Sequence, residues 1–351
     1  MSPTQPCDDC GRSAQAWTRR DFVRTGLAGT AVAGVLTGNT LRADEASKAS
    51  RPESETLVKK LYDSFSETQR SKLCFPWDYQ DERGLLRTHV SNNWSITDVK
   101  TMNVGGDFFT GDQRDMIEAI FYGLYNPEWH DRIRQQLKDD AGGYGKAQTI
   151  ALFGDSTDKF EFVMTGRHLT VRCDGNTSDH VAFGGPIFYG HAARGFDEEK
   201  DHPGNVFWPQ ALKANSLYAM LDRKQRERAI VKDIPDESAV PFQGEKGVFP
   251  GLPIAEMTAD QKAVAQGVLQ SLIEPYRQSD KEKVIQCLEK NGGLDRCSLA
   301  FYDADDIGND KVWDYWRIEG PTFVWYYRGA PHVHVWVNVA DSPDIPLNAQ
   351  G

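Results

Sequence analysis

The chain has 351 residues, of which 39% are apolar and 11% aromatic, so it can bury a sizeable core and does not have a disordered composition. Fifty-one acidic against 40 basic residues leave a net charge of -11. That balance argues against nucleic acid and against anionic membrane surfaces as partners.

In chain order, the first feature is an address. Thr18-Arg19-Arg20-Asp21-Phe22-Val23-Arg24 precedes a weakly apolar stretch at 25–38 that is rich in Gly, Ala and Thr. Paired arginines, a following Phe and an apolar run together resemble a twin-arginine signal peptide. The expected signal covers 1–43, with cleavage after Ala43. The expected partner is the twin-arginine export machinery and the expected location is periplasmic or secreted. A membrane span needs about 20 apolar residues. No stretch of the mature chain is apolar enough, so no stable membrane span is expected there. Cys7 and Cys10 precede the arginine pair and would leave with the signal. Cys74, Cys173, Cys287 and Cys297 remain. An oxidising compartment permits disulfides, and the Asn291-Gly292-Gly293 turn makes Cys287 with Cys297 the first expected pair, Cys74 with Cys173 the second.

Residues 44–55 are polar and read as a mobile mature N-terminus. A helix is predicted from Thr56, with Leu57, Leu61, Tyr62 and Phe65 as its apolar set and Pro76 beyond its end. Residues 85–96 are mixed and extended. A second helix follows Asp112 as N-cap, with Met116, Ile117, Ile120, Phe121 and Leu124 at helical spacing, and a third spans 129–138 after Pro127. Strands are predicted at 147–153, 159–165 and 168–173, the last two joined by a tight turn at Gly166-Arg167. Helices follow at 211–232 and 258–274, the latter capped by Thr258 and closed by Pro275, then strands at 315–318, 322–327 and 332–339. No internal repeat is visible. The pattern predicts one α+β domain over 56–351, with helices packed on a mainly antiparallel sheet.

The sharpest local feature is Pro331-His332-Val333-His334. Residues two apart on a strand share a face, so His332 and His334 would present two imidazoles side by side, a pattern that suits zinc, copper or iron. Hydrogen-bonded structural histidines fit the same pattern. A metal needs a third ligand; His168 is the first candidate and His191 the second. Arg317 and Glu319, also two apart, are candidate catalytic groups that bind a small polar or anionic ligand or act as acid and base, or else a structural ion pair. Trp313, Tyr315, Trp316, Phe323, Trp325, Tyr326, Tyr327 and Trp336 would line a ligand cleft or fill the core. There is no Gly-x-Ser-x-Gly elbow, no phosphate-binding loop, no dinucleotide fingerprint and no His-Glu-x-x-His.

Several segments, in order, resemble one family. Gly166-Arg167-His168-Leu169-Thr170-Val171 is similar to a Gly-His-His-Leu-Ser-Leu signature, and Gly185-Pro186-Ile187-Phe188-Tyr189-Gly190 to the segment that follows it. Tyr315-Trp316-Arg317-Ile318-Glu319-Gly320-Pro321 and His332-Val333-His334 are similar to its closing motifs. The family is domain-of-unknown-function family 3500. Arg167 stands where the signature has its first His, and Pro331 where it has Asn. The resemblance implies positions and not a reaction. The expectation is therefore an exported protein that uses a histidine cluster, His168, His332 and His334, as a metal-dependent hydrolase or oxidoreductase, with Arg317 orienting the substrate. The alternative is a non-catalytic extracytoplasmic ligand-binding protein.

Overall fold

Four helices begin alike, with Ser, Thr or Asp at the N-cap and Gln three residues on. Ser66 with Gln69, Thr110 with Gln113, Asp222 with Gln225 and Thr258 with Gln261 each close a reciprocal capping box. The glutamines then pair off. Gln69 Nε2 donates to Gln113 Oε1 at 2.8 Å, and Gln225 Nε2 to Gln261 Oε1 at 2.9 Å. Each cap thus also ties one helix start to another.

The computed structural model describes residues 53–155, 159–174, 180–192, 204–303 and 313–348. The predicted signal, nearly all of the predicted mobile segment, and Cys7 and Cys10 lie outside the described residues. The described residues fall in one compact unit. Its helices are α1 (Ser54–Ser64), α2 (Glu67–Leu73), α3 (Val99–Met102), α4 (Gly111–Gly123), α5 (His130–Ala141), α6 (Trp208–Met220), α7 (Arg223–Ala229), α8 (Ala259–Ile273) and α9 (Gln278–Lys290). Its strands are β1 (Cys74–Phe75), β2 (Gln80–Asp81), β3 (Gly84–Leu85), β4 (Thr149–Gly154), β5 (Phe160–Gly166), β6 (Leu169–Cys173), β7 (Ile187–His191), β8 (Ile230–Val231), β9 (Leu252–Pro253), β10 (Ser298–Tyr302), β11 (Tyr315–Gly320), β12 (Phe323–Arg328) and β13 (Val333–Val339).

Most predicted elements are present within a few residues, and the class is helices with one large, mainly antiparallel sheet. The sheet is mixed, because β1 runs parallel to β4 and β8 parallel to β10. The helix predicted at 211–232 is two helices: Leu221 turns extended, and Asp222 caps a new start. The helix assigned to an Asp112 cap starts from Thr110.

The largest departure concerns repetition. The sheet order is β1-β4-β5-β6-β7-β13-β12-β11-β10-β8, with β9 beside β10. Read outward from the β7–β13 pair, the two sides match. Each half runs through a helix, a capped short helix, a two-residue strand laid parallel on the edge, two longer helices and a four-stranded meander. In the first half these are α1, α2, β1, α4, α5 and β4–β7; in the second, α6, α7, β8, α8, α9 and β10–β13. The repeat is one of architecture: the hairpin Gly166-Arg167-His168-Leu169 answers to Gly320-Pro321-Thr322-Phe323, which shares only the glycine.

One sheet face packs on the helices and holds the main core, where Trp316, Trp325 and Tyr327 are fully buried. Each contributes about 1.5–3 kcal/mol by burial. Irregular chain covers the other face. Val90 and Val240 pack there on Phe188, Tyr326 and Trp336, and Leu86 and Ile96 on Ala151, Phe153 and Val163. Irregular chain leaves carbonyls to be satisfied, and an arginine in each half supplies donors. Arg172 donates to the carbonyls of Arg87 and His89, and its partner Glu161 also holds Arg87 at 2.8 Å. Arg317 donates to the Ala239 carbonyl at 3.0 Å and to Glu319 at 2.9 Å.

The expected disulfides are absent: Cys74, Cys173, Cys287 and Cys297 are all free thiols. Cys287 turns into the core from α9, while Cys297 packs under Gly320 in the second hairpin, so the intervening turn does not bring the sulfurs together. Burial pushes the Cys287 thiol up to about 11 and the Cys297 thiol up to about 12, which keeps both protonated and unreactive.

His89 sits in the irregular cover, edge-on to Trp94 at 4.7 Å, and its Nδ1 accepts from Asn348 Nδ2 at 3.3 Å. Burial, with help from Arg172 and Arg83, pushes it down to about 4. An unfolded chain protonates this ring below about 6.5 while the folded chain resists until about pH 4, so stability rises with pH across that window. Denaturant unfolding at pH 4.5 and 6.5 should therefore show a larger loss on acidification in wild type than in His89→Gln, which keeps an acceptor for Asn348. Equal losses would refute this assignment.

Candidate metal centre

The tip of the β5–β6 hairpin is made of Arg167 and His168. His168 has φ 48°, in the left-handed region. A non-glycine residue costs roughly 1–3 kcal/mol there, although His tolerates the region better than most. Its backbone N–H is held by Asn93 Oδ1 at 3.0 Å. Its ring is held by Asp140 at the end of α5, with Nδ1 at 2.8 and 2.9 Å from the two carboxylate oxygens. Burial raises the Asp140 carboxyl, but the hydrogen bonds and charges of His168 and Arg167 outweigh it and leave the group below its ordinary value. An ionised carboxylate only accepts, so a proton sits on His168 Nδ1 and Nε2 is the atom turned to the cluster.

The second half builds the same arrangement. His334 on β13 places Nδ1 3.1 Å from Glu237 Oε2. Burial raises the Glu237 carboxyl, and His334, Arg328 and Trp336 more than offset it. Burial pushes His334 down to about 4, aided by Arg328 and His168 and opposed by Glu237. His334 is therefore neutral at pH 7 with its lone pair on Nε2. Each carboxylate also holds an arginine: Asp140 takes Arg167 Nε at 3.0 Å, and Glu237 takes Arg328 Nη1 at 3.3 Å. A histidine, a carboxylate and an arginine thus come from each half.

The rings converge. His168 Nε2 lies 3.0 Å from His334 Nε2, and His332 Nε2 lies 2.9 Å from the same atom. All three ligand atoms are within 4.8 Å of one another, and the residues are 1%, 6% and 3% exposed for His168, His332 and His334. Two ring nitrogens facing at 3.0 Å need a proton or a metal cation between them. Nitrogens bound to one tetrahedral zinc at about 2.0–2.1 Å stand about 3.3 Å apart. The donors therefore fit a three-histidine metal shell, with the Nδ1 carboxylates that commonly orient such ligands. Gly190, opposite His334 across the β7–β13 pair, makes room: a Cβ there would lie 2.1 Å from the Val333 carbonyl and 3.2 Å from His168 Cδ2.

One side of the cluster opens into a cavity of about 390 Å³, where His332 and His334 meet Arg167, Arg328, Glu237, Asn92 and Asn93. The other predicted residues lie elsewhere. His191 pairs with Val333 and faces the helix side, away from His334. Arg317 and Glu319 lie on the same sheet face as His334 but line a separate depression of about 290 Å³ with Tyr302 and Pro241. Two strand spacings and two residues separate Arg317 from His334, about 12 Å. Arg317 is thus not beside the histidines; Arg167 and Arg328 are. Among the eight aromatics proposed for a cleft, none lines the histidine cavity, and Trp316 and Tyr327 stack 5.1 Å apart in the core. Asp140, Glu237 and Asn93 carry no local sequence signal; each reaches its histidine only through the fold.

A family model described as "Protein of unknown function (DUF3500)" matches residues 48–338. No curated protein and no solved structure matches the chain.

Replacing Asp140 with Asn removes the charge that fixes the His168 tautomer. Titration of zinc into the Asp140→Asn protein should show an affinity about 10–100-fold below wild type, with the far-ultraviolet circular dichroism retained. An unchanged affinity would mean that Asp140 does not orient the ligand.

Proposed function

The chain belongs to the DUF3500 family, and because that membership prescribes no reaction, we propose from the chemistry of the site that the protein is a metal-dependent enzyme with His168, His332 and His334 as ligands. The observation that carries this reading is the meeting of three Nε2 atoms, two of them on rings whose Nδ1 is held by Asp140 and Glu237, at the wall of an open cavity. Closed structural sites use four protein ligands, whereas catalytic sites use three and leave a position for water or substrate. Three neutral imidazoles suit zinc, copper or iron. Such an ion supplies Lewis acidity and an acidified water, or electron transfer where it is redox-active. Zinc would favour a hydrolase, and copper or iron an oxidoreductase. The protein's own groups hold the rings, and Asp140 and Glu237 keep a proton on Nδ1 of His168 and His334.

The reading includes export. The paired arginines Arg19-Arg20 and the apolar run after them support passage through the twin-arginine machinery to a periplasmic or secreted location. That route carries folded chains, so an ion can be loaded first. Among the described residues no helix is long and apolar enough to cross a membrane. A non-catalytic ligand-binding protein loses its main support, since the aromatics proposed to line its cleft are largely buried.

Elemental analysis of the purified protein should find about one equivalent of a single transition metal per chain, falling to traces in His168→Ala and His334→Ala. Wild-type protein that holds only traces, even after incubation with zinc, copper(II) and iron(II), would sink the reading.

A further inference from the structure

We propose that the substrate of this centre is a small anion, a carboxylate or phosphate-bearing molecule, bound between the metal position and Arg167. This rests on the metal reading above and sharpens it.

The first argument is charge. Asp140 and Glu237 offset Arg167 and Arg328, and the three imidazoles are neutral ligands. Among the described residues no further carboxylate lines the cavity, so a divalent ion in their midst is not neutralised by them. The chain as a whole carries -11, so a locally positive cavity runs against its general charge. An anion completes the balance, and the low-dielectric wall strengthens its attraction.

The second argument is donor geometry. Arg167 commits Nε to Asp140 at 3.0 Å, which fixes the plane of its guanidinium. Its two terminal nitrogens take no partner among the described residues, its side chain is 39% exposed, and it lines the cavity beside His334. A guanidinium held by one edge and open at its fork is suited to a carboxylate or phosphate. Arg328 is different: it spends Nη1 on Glu237 and Nη2 on the His332 carbonyl, so it adds charge more than contact. Arg167 is thus the specificity-determining residue. The cavity, at about 390 Å³, is at the small end of ligand sites and suits a metabolite-sized molecule.

The test uses full-length mature protein loaded with cobalt(II), whose visible spectrum reports on groups entering its coordination shell. Oxalate and inorganic phosphate are titrated, with neutral oxamide as control. The expected result is a saturable spectral change with an anion and none with oxamide. At saturating cobalt, which offsets any metal affinity lost with the Asp140 ion pair, Arg167→Gln should bind the anion about tenfold or more weakly, and Arg167→Lys should recover part of the loss. Equal anion affinity in wild type and Arg167→Gln, or a cobalt spectrum indifferent to both anions, would overturn the inference and leave the metal centre standing. A wild-type protein that binds no cobalt would remove the metal reading itself.

Discussion

The antiparallel pairing of β7 with β13 is the contact on which the rest of the structure depends. It runs from Val333 opposite His191 to Val337 opposite Ile187, and it joins two four-stranded meanders into one sheet. Without it each meander would present an unpaired central edge. The same register sets His334 opposite Gly190, and the missing side chain at Gly190 lets the His168 ring lie beside it. A slip of one residue would send His334 to the helix face. Fold and candidate site are thus fixed by one ladder of hydrogen bonds.

Around that ladder the two halves solve the same problem twice. Each leaves one sheet face to irregular chain, and each sets an arginine and glutamate beneath that chain to take up its carbonyls: Arg172 with Glu161, and Arg317 with Glu319. Buried charges of this kind are costly to desolvate, so they are weak evidence for stability. Their value here is positional. Arg317 at Ala239 and Asn338 at Val240 pin the segment that brings Glu237 to His334. That gives Arg317 a clear structural task away from the histidines.

Much of this was legible in the sequence because it is local. The alternation after Pro331 marks β13, and His334 on it lies two residues from His332 just ahead of it, the spacing of a shared face. Thr258 followed by Gln261 marks the start of α8. His168 was reachable only as a candidate, since its ring meets His334 across 166 positions of chain. Asp140 and Glu237 were not reachable, because a carboxylate at a helix end or in a loop resembles any solvated acid until its neighbours are known. The repeat was hidden for a related reason. Hydrophobic pattern and capping survive wide changes of residue, so Met164 and Ile318 can precede equivalent hairpins while Arg167 and Pro321 follow different local chemistry. The disulfide expectation failed because sequence distance says little about where side chains point.

The candidate metal centre is divided by the seam. His168, Asp140 and Arg167 belong to the first half, and His332, His334, Glu237 and Arg328 to the second. The equivalent hairpin tip of the second half carries Thr322 in place of His168, so no second cluster of this kind forms among the described residues. Neither half holds a complete centre, and neither could be cut away as an independent working module. Whatever the cluster grips, it grips with one hand from each half, and the grip resists the two meanders parting.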